Sequence, residues 1–343
     1  MKHPLASPHH GRLTLLALTL IGGALACTIG IAPRSSLQAT GEAASPVPGS
    51  PSPRAAQTPE EPSRPSTASP PTPTPSLVGG SGAIVYHSGP PGREDIYLLP
   101  LDGSEPQALT SESGSDISPR WSPDGHQIAF VSDRDGDREI FIAGADGSAP
   151  RNLTLNSASD DSPSWTPDGQ SIVFSSDRDG NREIYRMRID GTNVKRLTFD
   201  LGFDVSPAVA PDGSQIAFVS NREGDSEVFL MDAEGESPVR LTSGYGVARY
   251  PAWNPNGSTL VFASDRSGDF ELYQIDLRGG EPENLTTNAA HDASPDFSPD
   301  GQLLVFDSNR EGNYEVFILD LATLGVTRLT SAPDLDGDPD WKP

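Results

Sequence analysis

Five aspartates recur at intervals of 44 residues or a multiple of it: Asp116, Asp160, Asp204, Asp292 and Asp336, with Ala248 at the sixth position of the series. Carboxylate oxygens are hard ligands, and calcium takes about six to eight such oxygens. Five carboxylates gathered at one mouth of a ring would hold a divalent cation such as Ca²⁺, or dock a basic partner. Aspartate also caps turns by bonding its own backbone two residues on. The series therefore reads either as a cation site or as a set of turn caps. Where it breaks, Arg249 and Tyr250 accompany Ala248, and His291 stands beside Asp292. Those three residues are where ligand selectivity is expected.

Other chemistry has less to draw on. The arginines Arg134, Arg178, Arg222, Arg266 and Arg310 recur with the glutamates Glu139, Glu183, Glu227, Glu271 and Glu315. Such regular recurrence predicts structural ion pairs rather than a site. The loops that carry these arginines, beginning with Asp133-Arg-Asp-Gly-Asp137, space their acids as calcium loops do. Arg138 and Gly144, however, stand where an EF-hand needs its glycine and its last glutamate. A hairpin turn with glycine at a positive φ is the expectation there. His87, His126 and His291 fall in different columns of different repeats, so a Ser-His-Asp triad has no basis. Neither a Gly-x-Ser-x-Gly elbow nor a glycine-rich phosphate loop is present. No catalytic residue and no required cofactor is assigned. The enzymatic alternative is a metal-dependent lyase or lactonase acting on a sugar.

The elements that must position these residues follow from the period. Trp-Ser-Pro-Asp-Gly at 121–125 recurs as Trp-Thr-Pro-Asp-Gly, Val-Ala-Pro-Asp-Gly, Trp-Asn-Pro-Asn-Gly and Phe-Ser-Pro-Asp-Gly, without insertion or deletion. One aromatic column runs Tyr86, Phe130, Phe174, Phe218, Phe262 and Phe306; a second runs Tyr97, Phe141, Tyr185, Phe229, Tyr273 and Phe317. Repeats of about 40–45 residues with short strands are four-stranded propeller blades. In the second copy the inner strand is predicted at 118–121, the next at 128–132, the third at 139–143 and the outer edge at 152–154. Apolar runs such as Ile-Ala-Phe-Val are consecutive, as blades covered on both faces require.

The fold class expected is all-β: a six-bladed propeller over residues 80–343. The first copy begins at its second strand, and the chain stops at an inner strand ending in Trp341. That C-terminal strand should complete the first blade and close the ring.

The N-terminus is of another kind. Lys2 and Arg12 precede an apolar run from Leu13 to Ala26 that ends at Cys27. These are the features of a secretory signal. Gly-Ala-Leu-Ala-Cys at 23–27 resembles the bacterial lipobox, which makes Cys27 a lipidation site and residues 1–27 a lipoprotein-type signal peptide. An ordinary signal and an uncleaved anchor are the alternatives; all three place the rest of the chain outside the cytoplasm. Residues 28–79 form a Pro/Ser/Thr-rich disordered linker with twelve prolines between Pro33 and Pro75, and no aromatic residue precedes Tyr86. Such a stretch cannot bury a core; as polyproline II it would extend about 3.1 Å per residue.

The blade repeat, Ser-Pro-x-Trp-Ser-Pro-Asp-Gly-x-x-Ile-Ala-Phe followed by Ser-Asp-Arg-x-Gly and Glu-Ile-Tyr, resembles the WD-like repeat of the TolB propeller family over residues 80–343. The resemblance implies an extracytoplasmic propeller that binds a protein or small ligand at its faces and central channel. TolB carries an α/β domain before its propeller; here the proline-rich stretch occupies that place. The net charge of −24 disfavours nucleic acid and favours basic partners or divalent cations. The expectation is a monomeric, membrane-anchored lipoprotein facing the periplasm or the cell surface.

Overall fold

Each repeat folds into four short antiparallel strands because its turn residues fall where the chain must reverse. In the second blade these are β4 (Asp116–Trp121), β5 (Gln127–Ser132), β6 (Glu139–Gly144) and β7 (Arg151–Asn152). The Pro-Asp-Gly turn between β4 and β5 has Gly125 at φ 67°, and Asp124 caps it by accepting from the Ser122 hydroxyl and the His126 N–H. The loop between β5 and β6 is the expected hairpin turn: Gly136 sits at φ 114° and its N–H donates to the Asp133 carbonyl at 2.9 Å.

The computed structural model describes residues 82–343 apart from Tyr245; the signal-type segment with Cys27 and the linker at 28–79 lie outside the described residues. Among the described residues there are six four-stranded sheets and no helix. Five sheets are built from consecutive strands. The remaining one pairs β24 (Leu335–Trp341) with β1 (Ala83–Gly89), then β2 (Asp95–Pro100) and β3 (Gln107–Ala108). The C-terminal strand thus completes the first blade, Ser88 facing Asp336 and Ile84 facing Trp341.

The middle strands are buried on both sides, as their consecutive apolar residues demand. Phe130 stacks on Phe141 of its own blade at 5.8 Å, while Val131 packs with Trp165 and Phe174 of the next. The glutamate column has a different use from the one its spacing suggested. The threonine of each closing Leu-Thr pair accepts a backbone N–H of the third strand at 2.9–3.0 Å. In five blades its hydroxyl donates to the glutamate that begins that strand, Glu139, Glu183, Glu227, Glu271 or Glu315. The outer edge is pinned by this bond, which is why the outer strand itself can be two residues long.

Candidate functional site

The inner strands do not start where the sequence placed them. They begin two residues earlier, at the aspartates, and contain a bulge two residues in. Ser118, Ser162, Ser206, Tyr250, Ser294 and Asp338 all adopt φ between 47° and 55°, each followed by a proline, and the pairing register shifts there. The bulge turns these side chains toward the central axis, while the aspartates at the strand start are carried into the blades.

The expectation that five aspartates converge on one channel mouth is therefore corrected. Asp116, Asp160, Asp204, Asp292 and Asp336 are 0–2% exposed, and none lines the channel. Four of them meet the arginine of their own blade: Arg134–Asp116 at 2.8 Å, Arg178–Asp160 at 2.9 Å, Arg222–Asp204 at 2.7 Å and Arg310–Asp292 at 2.9 Å. The arginines pair with this column and not with the glutamates. The physical reason is direction: a residue that starts the inner strand points back at the hairpin carrying the arginine. The turn-cap reading fails for the same reason, since these aspartates are strand residues. Among the described residues no group of three or more His, Cys, Asp or Glu is placed to hold a metal.

What does line the axis is a channel of about 450 Å³ whose polarity changes along its length. At one mouth lie the serines of the bulge column with Tyr250 and Asp338. Asp338 accepts from the Ser118 hydroxyl at 2.9 Å and the Ser294 hydroxyl at 2.8 Å, and His87 Nδ1 lies 3.6 Å away. Burial pushes this carboxyl up, but His87, Arg120 and the two hydroxyls more than offset it, so it lies below its ordinary value. Burial lowers His87, and burial with the nearby Asp338 raises Asp307 to about 7. Deeper in, Arg120, Asp340 and Asp296 come from three successive blades. Arg120 Nε is 3.8 Å from Asp340, and the two carboxylates accept the backbone N–H groups of Trp121 and Trp341 at 2.7 and 2.8 Å. Burial raises both carboxyls. Beyond them Trp121, Trp165, Trp253 and Trp341 lead to prolines at the far mouth.

The selectivity candidates divide. Tyr250 enters the channel, 37% exposed, its phenol pushed up to about 12 by burial and Asp338. Arg249 and His291 stay on the rim and both contact Phe270, the guanidinium 5.0 Å above its ring and the imidazole 5.8 Å from its centroid. The same face exposes Leu155, Phe199, Leu201 and Phe203, with Leu201 fully exposed. Arg120, Asp296, Asp338, Asp340, His87, Asp307 and Phe270 were missed in the sequence. The signal was there as breaks in other columns: Arg120, Ser164, Ala208, Ala252, Asp296 and Asp340 occupy one repeat position.

A six-bladed ring closed by its last strand, around this channel, defines a six-bladed β-propeller. The chain matches the TolB beta propeller domain family over residues 66–205 and 200–343, and it belongs to that family. Its fold is similar to TolB from Acinetobacter baumannii, with TM-score 0.70 and 28% identity, over 77% of this chain and 68% of that one. It shares its fold with oligogalacturonate lyase at TM-score 0.52 and 19% identity, over 68% and 70% of the two chains. Curated relatives match locally. "Protein TolB homolog" of Chlorobium chlorochromatii is 54% identical over 43 residues, and "Tol-Pal system protein TolB" of Desulfosudis oleivorans 39% over 51. These matches span 12–15% of this chain and 10–12% of the relatives' length.

Proposed function

We propose that the protein is an extracytoplasmic binding propeller, tethered to a membrane through Cys27 and the proline-rich linker, that recognises a protein partner at the channel mouth framed by Tyr250 and Asp338. The observation that carries this reading is the loss of six-fold symmetry at that mouth. A purely structural ring would repeat serine in all six bulges. Here Tyr250 and Asp338 replace it in two, and Arg249, Phe270 and His291 gather beside one of them. The exposed Leu155, Phe199 and Leu201 on the same face add an apolar area of the kind that marks interaction sites. Kinship with TolB supports the extracytoplasmic location. The lyase reading gains nothing specific, since the likeness to oligogalacturonate lyase is one of fold.

The test is site-specific photocross-linking in cells, with the reactive residue at Leu201 or Tyr250 and, at the opposite end of the inner strands, at His126. A discrete cross-linked partner from the first two positions and none from His126 is the expected result. Equal labelling from all three, or labelling from His126 alone, overturns the assignment.

A further inference from the structure

In four blades one arrangement recurs. The arginine after the second strand donates through Nε to a serine hydroxyl, that of Ser132, Ser176, Ser220 or Ser308, at 2.8–2.9 Å. Its Nη2 donates to the aspartate that starts the inner strand at 2.7–3.0 Å. Its Cζ lies 4.8–5.7 Å from the centroids of two neighbouring rings. Carboxylate, hydroxyl and aromatic faces together form a seat for a planar cation.

The closing blade keeps the seat but not the arginine. Asp336 stands for the aspartate and Ser88 for the serine, and Tyr86 and Tyr97 form the ring pair with centroids 5.9 Å apart. Residue 90, where arginine stands in the other repeats, is proline. The hairpin turn is displaced by one residue: Arg93 N–H donates to the Pro90 carbonyl, where Gly136 N–H donates to that of Asp133. Oδ1 and Oδ2 of Asp336 and the hydroxyl of Tyr86 meet in this place without a hydrogen bond of normal geometry, although the Ser88 and Thr330 hydroxyls lie close enough to the carboxylate to draw it down. Asp336 is fully buried, and Glu315 close by brings a second carboxylate whose arginine, Arg328, is already engaged at 2.7 Å. A buried carboxylate with only neutral hydroxyls beside it and no cation is costly.

We infer that the closing blade carries a binding seat for a guanidinium group supplied from outside the propeller, with Asp336 receiving its N–H donors and the Tyr86–Tyr97 pair its face. A guanidinium suits the seat better than an ammonium because the seat is the one the chain itself fills with arginine four times, and the planar fork matches a carboxylate. In the four filled blades the arginine enters the seat from the hairpin side, its side chain 12–20% exposed, and that is the side from which an outside group would have to enter. Burial, joined by Glu315, pushes the Asp336 carboxyl up to about 7 against the pull of the Ser88 and Thr330 hydroxyls, and a seated cation would draw it down. This seat is separate from the channel mouth, so the two assignments stand or fall independently.

The test uses the purified full-length protein at pH 8, titrated calorimetrically with N-methylguanidinium, methylammonium and the tripeptides Gly-Arg-Gly and Gly-Lys-Gly. One saturable methylguanidinium site is expected, with methylammonium at least tenfold weaker. Asp336→Asn should lose it at least tenfold. So should the loop variant Gly89→Asp/Pro90→Arg/Pro91→Asp/Arg93→Asp, which supplies an internal arginine and should melt above the wild type. Binding of Gly-Arg-Gly as tight as that of methylguanidinium assigns the seat to an arginine side chain; exclusion of the peptide assigns it to a small guanidino compound. Absent binding by both guanidinium probes, or equal methylguanidinium affinity in the wild type and the loop variant, overturns the inference.

Discussion

Two blades share one repeat and differ by half an ion pair each. In the fifth blade Arg266 has Ala248 where its aspartate would be; in the closing blade Asp336 has Pro90 where its arginine would be. The consequences are unequal. Arg266 is half-buried, bonds the Ser264 hydroxyl at 3.1 Å and lies 4.9 Å from the Tyr273 ring, so its charge keeps contact with water and with aromatic faces. Asp336 is fully enclosed, with the Ser88 and Thr330 hydroxyls beside it but no cationic side chain and no contact with solvent. A lone cation on a long, amphipathic side chain reaches solvent; a lone carboxylate on a short one cannot. The lesson extends to the whole ring. Residues that occupy every repeat are held by the fold, and single departures from a column mark what this chain adds to it.

The largest test of that contrast is the closing strand itself. Deleting Asp336–Pro343 removes β24, unpairs β1 and empties the Trp341 site packed against Ile84, Leu101 and Val305. Loss of a buried tryptophan alone costs about 3–5 kcal/mol. The truncated chain should melt at least about 10 °C lower and aggregate through the exposed strand edge. An unchanged melting temperature would remove the closure from the account.

Next in size is the comparison of arginines. Arg222→Ala leaves Asp204 buried and uncompensated, and should cost about 3–5 kcal/mol in urea unfolding. Arg266→Ala leaves no carboxylate behind, and should cost about 1 kcal/mol for the lost aromatic and hydroxyl contacts. Equal losses would show that the aromatic seat, and not the ion pair, holds these arginines.

Protonation gives the third test. Asp307 and Asp336 are raised to about 7, and burial raises Asp296 and Asp340 as well. A carboxyl whose folded value is raised favours the folded state most below its unfolded value, near 4, and loses that contribution as pH rises through the folded value. The protein should therefore melt several degrees higher at pH 6 than at pH 8. Asp340→Asn should flatten that slope, since the amide cannot ionise. A melting temperature that rises from pH 6 to pH 8 contradicts the assignment.

How much of this was legible in the sequence follows from the same contrast. Blade number, strand order, hairpin turns and ring closure were readable because each is written six times at one spacing. The site was misread where direction mattered. A period of 44 fixes which residues are equivalent, but not which way the column faces, and the bulge at Ser118 and its equivalents decides that. It turns the serine column to the axis and leaves the aspartates inside the blades. The arginines were rightly read as structural and wrongly partnered, because Glu139 lies nearer in sequence while Asp116 lies nearer in space. The channel cluster of Arg120, Asp340 and Asp296 spans three blades and has no local spacing to betray it.

The smallest structural effect carries the sharpest functional test. Tyr250 holds a left-handed φ of 53° in a column where serine does so at 47–55°, so Tyr250→Ser asks the backbone for nothing new. The ring is 37% exposed and lines the channel mouth. Stability should stay within about 0.5 kcal/mol, the range of ordinary surface substitutions, and the melting temperature within about 2 °C. The mouth, however, becomes a ring of five serines and Asp338, losing the aromatic ring of the bulge column. Photocross-linking from Leu201 should then fall at least fivefold while the fold is unchanged. A melting temperature several degrees lower would make Tyr250 a packing residue of its blade. Undiminished cross-linking would move recognition from the channel mouth to the apolar rim of Leu155, Phe199 and Leu201.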